Sequence, residues 1–69
     1  MELQLYINGQ KTKVESHIQT IEDLLKFFQL QDRIVIVEQN GEIVLKEKYS
    51  KQPVSEGDKI EIVHFVGGG

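Results

Sequence analysis

The sequence predicts an α+β domain in which one mixed sheet of four to five strands packs on a single helix. Two Asn-Gly pairs, each set between strand-forming runs, mark two hairpins. One stretch with apolar residues at helical spacing lies between them, and a third strand-forming run closes the chain. Sixty-nine residues hold one such domain and leave no room for a second.

The first hairpin comes from Leu3, Leu5 and Ile7, which alternate with Glu2, Gln4 and Tyr6 and lead into Asn8-Gly9. That pair supplies the two positive-φ positions of a type I′ turn. The return strand, about Lys11 to Glu15, is polar apart from Val14, which suits a sheet edge where lysines discourage further pairing. The alternation breaks between Ser16 and Gln19, and a helix opens at Thr20, with Asp23 three residues on at the spacing of a capping box. Ile21, Leu24, Leu25 and Phe28 then form one apolar stripe, with Glu22, Asp23 and Lys26 off it, and Leu30 extends the core contact past the helix end.

Ile34-Val35-Ile36-Val37 is apolar on both faces. Either it is a central strand or its outer face meets a partner. Asn40-Gly41 turns the chain back through Ile43, Val44 and Leu45, and Tyr49 to Val54 reads as irregular chain crossing the surface. Ser55-Glu56-Gly57-Asp58 is a turn that launches the last strand, about Lys59 to Val66. If Ile60 and Ile62 face inward, the period of two puts Val63 and Phe65 outward, which suggests a docking patch. His64 is expected inward in line with Ile60 and Ile62, or at the strand edge.

The sequence therefore divides into a folded unit over residues 1–66 and a glycine tail over residues 67–69. Three glycines have no Cβ and span about 10 Å when extended, so they suit a channel too narrow for side chains. The bland alternative is a frayed end.

Composition excludes several classes. The net charge of −3 argues against general binding of nucleic acid or anionic membrane, both of which need clustered Lys and Arg. The chain has no cysteine and two histidines, which excludes a disulfide framework, thiolate metal sites and a cysteine nucleophile. Neither a signal-peptide pattern nor a membrane-length apolar run is visible, so a cytoplasmic protein is expected. Ser16, Ser50 and Ser55 form no inferable Ser-His-acid set, there is no Gly-rich phosphate loop, and the eleven carboxylates are scattered. No catalytic residue and no metal ligand is assigned.

The strand order is that of a β-grasp fold. With the run Ile34-Val35-Ile36-Val37-Glu38 and the ending Ile60-Glu61-Ile62-Val63-His64-Phe65-Val66-Gly67-Gly68-Gly69, the whole chain resembles the ubiquitin-like sulfur carrier proteins of thiamine biosynthesis, the ThiS family. The resemblance implies that a ThiF-type enzyme adenylates the Gly69 carboxylate with ATP and that a cysteine desulfurase system supplies sulfur. It further implies that a ThiG-type thiazole synthase takes that sulfur from the Gly69 thiocarboxylate. Gly67 and Gly68 would thread the tail, Val63 and Phe65 would meet the partners, and no cofactor would be held permanently. Such a chain is a carrier and co-substrate rather than an enzyme. The small subunit of molybdopterin synthase, a ubiquitin-like modifier of lysines, and a passive β-grasp binding module are the competing readings.

Overall fold

The computed structural model describes residues 2–64. Five strands, β1 (Glu2–Ile7), β2 (Gln10–Glu15), β3 (Val35–Gln39), β4 (Glu42–Val44) and β5 (Lys59–His64), form one sheet in the order β2-β1-β5-β3-β4. Neighbours pair antiparallel except β1 and β5, which run parallel at the centre through Tyr6↔Lys59 and Ile7↔Ile60. The polar β2 is an edge strand, as its lysines predict.

Both hairpins turn where the Asn-Gly pairs stand, with φ of 50° and 83° at Asn8 and Gly9 and 53° and 88° at Asn40 and Gly41. One helix, α1 (Ile21–Phe27), begins after Thr20 with a complete capping box. The Thr20 hydroxyl accepts from the Asp23 N–H at 3.2 Å, and the Asp23 carboxylate accepts from the N–H groups of Thr20 and Gln19 at 3.2 and 3.0 Å. Those bonds, led by the one from Gln19, outweigh desolvation and hold the Asp23 carboxyl below its usual value. The helix ends on a residue that sequence reasoning passes over. Gln29 takes φ 62°, the Gln29 N–H donates to the Lys26 carbonyl and the Leu30 N–H to the Leu25 carbonyl, giving a Schellman closure without glycine. This turn folds Leu30 back against the core beside Phe28.

The core between helix and sheet comprises Leu5, Val14, Ile18, Ile21, Leu24, Leu25, Val37, Val44, Val54 and Ile60. The segment expected to cross the surface is more structured than its composition suggests. It is preceded by a 3-10 turn at Lys46–Lys48, Thr20 bridges to Pro53, and Val54 is buried. The one buried polar side chain among the described residues, Gln39, explains how this crossover is held. Its amide nitrogen donates to the Pro53 carbonyl (2.9 Å) and to Asp58 (2.8 Å), and its oxygen accepts from Gln52 (2.7 Å). Both donors of the amide nitrogen and the oxygen are hydrogen-bonded, which is the condition for a buried amide to be tolerated.

Candidate functional site

Two faces of β5 have opposite roles. Its inner face carries Ile60, fully buried, and Ile62, which packs against the core. Its outer face carries Glu61 and Val63, and Val63 is 55% exposed. The register sets Val63 opposite Ile36 of β3, itself 42% exposed, so two aliphatic side chains lie side by side on the uncovered face of the sheet. Next along β3, Glu38 stands between Glu61 of β5 and exposed Ile43 of β4. The run from Ile34 to Val37 is thereby resolved. Val37 is core and Val35 half-buried, while Ile34 and Ile36 are exposed.

His64 shares the inner side with Ile60 and Ile62, as its parity predicts, yet it is exposed. It sits opposite Val35 and lines an open hollow of about 330 Å³ with Ile7, Asn8, Phe28, Leu30 and Ile62. Among the predicted partner-binding residues, Val63 is where it was expected. Phe65, Gly67, Gly68 and Gly69 lie outside the described residues.

Both ends of β5 are held by side chains that the sequence marked only as turn formers. At its start, the Asn40 N–H donates to the Lys59 carbonyl (2.7 Å) and the Asn40 side-chain oxygen accepts from the Lys59 N–H (2.9 Å). The Asn40 amide nitrogen also donates to Asp58 at 3.0 Å. Burial pushes the Asp58 carboxyl up, but the bonds donated by Asn40, the Ser55 N–H and Gln39 prevail and keep it below its usual value. Toward the other end, Asn8 grips Ile62 through its side-chain amide. Residue spacing shows a turn at Asn-Gly, but it carries no trace of a partner more than fifty positions away.

Among the described residues no Ser-His-acid set is assembled and no group of three or more His, Asp or Glu is placed to hold a metal. The one pair of opposite charges within 4.0 Å there, His17 with Glu15 at 3.8 Å, is exposed at the end of β2. No helix among those residues is long and apolar enough to cross a membrane.

A mixed five-stranded sheet folded over one capped helix, with parallel β1 and β5 at its centre and an apolar pair exposed on its open face, defines the β-grasp class of ubiquitin-like proteins. The family model described as the ThiS family matches residues 2–69, and the chain belongs to that family. It is 51% identical over 65 residues to the sulfur carrier protein ThiS of Bacillus subtilis, covering 94% of this chain and 98% of that one. The crystal structure of a thiamine biosynthesis protein (ThiS) from Geobacter metallireducens superposes with a TM-score of 0.81 at 32% identity, covering 97% of this chain and 100% of that one. A thiazole synthase of Paramagnetospirillum magneticum is 43% identical over 67 residues, which is 97% of this chain but 20% of the synthase.

Proposed function

We propose that this protein is a sulfur carrier of thiamine biosynthesis, working in the cytoplasm. Its Gly69 carboxylate is adenylated and then converted to a thiocarboxylate that donates sulfur for thiazole formation. The observation that carries this reading is the likeness to the Bacillus subtilis sulfur carrier over nearly the full length of both chains. A carboxylate is a poor electrophile at neutral pH. A ThiF-type enzyme therefore directs the Gly69 carboxylate onto the α-phosphate of ATP, releasing pyrophosphate. The terminal sulfur of a persulfide made by a cysteine desulfurase system displaces AMP from the acyl adenylate, and a thiol such as cysteine then cleaves the resulting acyl disulfide, freeing the thiocarboxylate and leaving as a disulfide. The chain is co-substrate throughout and supplies no catalytic side chain. A match to this whole chain within a thiazole synthase supports an enzyme of that class as the acceptor. Gly67 and Gly68 give the terminus a profile slim enough to enter the partners' pockets.

The test is intact mass spectrometry after incubation with a ThiF-type adenylating enzyme, ATP, cysteine and a desulfurase. A gain of about 16 Da, one oxygen replaced by sulfur, is expected. No gain with demonstrably active partners would refute the carrier reading in favour of a passive binding module.

The address on this carrier is the outer face at Val63 and Ile36. Val63→Asp places a charge where a partner buries an aliphatic pair. Binding of the adenylating enzyme is expected to weaken at least about 30-fold, the scale of a central hot spot. Val63 is more than half exposed, so the thermal unfolding midpoint should move little. Unchanged affinity in calorimetric titration would remove this face from the interface.

A further inference from the structure

We infer that Asn8 is a positioning residue for the C-terminal tail, acting as a substitute strand that holds the outgoing end of β5. This rests on the carrier reading, because only a chain whose terminus reacts has a use for an aimed exit. The geometry is specific. β1 runs parallel to β5 only as far as Ile7↔Ile60, and the Asn8 N–H closes that ladder on the Ile60 carbonyl at 2.9 Å. There β1 must turn into its hairpin, whereas β5 continues to His64. The side chain of Asn8 fills the vacated place. Its amide oxygen accepts from the Ile62 N–H at 2.8 Å and its amide nitrogen donates to the Ile62 carbonyl at 3.2 Å. A carboxamide presents one acceptor and one donor in the way a peptide group does, so β5 receives on this side two further ladder bonds that no backbone supplies.

Asparagine meets both local demands at once. It accepts the φ of 50° needed for the turn, and its side chain is long enough to reach the neighbouring strand. Glycine meets the first demand only. Asn8→Gly therefore preserves the hairpin while releasing Ile62 on the β1 side of the strand. Ile62 is fixed from both sides of β5. With the Asn8 rung gone, β3 alone holds Ile62 to His64, through Ile36↔Val63 and Val35↔His64. More of the approaches that follow docking then miss the adenylation pocket, while the docking face is unchanged. Such a defect lowers turnover rather than affinity.

Asn40→Gly is the matched control. It sits in the other Asn-Gly turn, and its side chain secures the opposite end of the same strand, at Lys59 and Asp58. The experiment compares wild type, Asn8→Gly and Asn40→Gly with a ThiF-type adenylating enzyme, ATP, cysteine and a desulfurase, at a temperature where circular dichroism shows all three folded. Thiocarboxylate formation is followed by intact mass against carrier concentration, and amide hydrogen exchange is read residue by residue. For Asn8→Gly, kcat is expected to fall about five- to thirtyfold, the factor set by losing one to two net hydrogen bonds, with KM within about twofold of wild type. Exchange should accelerate at Ile62 and not at Leu5. Asn40→Gly should leave kcat unchanged. A wild-type kcat in Asn8→Gly, an equal loss of kcat in Asn40→Gly, or exchange that rises uniformly overturns the positioning role and leaves the carrier reading intact. A wild-type chain that gains no sulfur overturns both.

Discussion

Removal of Gly69 alone is expected to abolish the gain of sulfur completely while leaving thermal unfolding where it was. The buried core runs from Leu5 to Ile60, so the fold does not depend on the last glycine. The reaction does, because the adenylation pocket must receive a carboxylate at a fixed distance from the docked sheet. One residue less withdraws that group by about 3.3 to 3.6 Å, more than the tolerance of a near-attack geometry. Extending the chain past Gly69 has the same outcome for a different reason, since the reactive carboxylate becomes an unreactive amide. Intact mass and a melting curve on both variants decide the matter. A truncated chain that still takes up sulfur places the chemistry elsewhere, and indifference to both changes is what a passive module predicts.

Ile60→Ala carries the largest expected loss of stability. Ile60 is fully buried on a central strand, with β1 on one side through Ile7 and β3 on the other through Gln39, and belongs to the core that contains Leu5, Leu24 and Val37. Truncating a buried isoleucine to alanine costs about 2–5 kcal/mol, transfer and cavity effects together. Small domains have about 5 kcal/mol or little more in total, and each 1 kcal/mol moves the midpoint of a chain this size by about 4–8 °C. The variant should thus melt at least about 8 °C lower. A urea titration that shows a loss under about 1 kcal/mol would mean that the site collapses around the smaller side chain. Val63, three residues on, should respond in the opposite way, with binding lost and stability kept. That contrast along one strand separates what holds this molecule together from what it presents.

The outer-face reading also explains why three exposed aliphatic residues, Ile36, Ile43 and Val63, are gathered on one surface around Glu38 and Glu61. Scattered singly they would call for no comment. Brought together by strand order, they form the docking face proposed for the partners.

Short-range rules determined much of this protein from its sequence. Asn8-Gly9 and Asn40-Gly41 turn as expected because a type I′ turn requires positive φ at adjacent residues. The Thr20 to Asp23 box caps α1 because both partners lie within one helical turn. Period two along β5 correctly assigned Ile60 inward and Val63 outward. Only the tertiary structure decided the rest, because those features join residues distant along the chain. The exposed face of Ile34 to Val37 depended on β3 lying between β5 and β4. His64 kept its inward parity but emerged exposed, a matter that alternation along one strand does not decide. Gln39, an ordinary surface residue by type, became buried once Pro53, Gln52 and Asp58 arrived to satisfy it. Asn8 reads locally as a turn residue, and it acquires a second role only when folding brings Ile62, 54 positions away, within reach of its amide.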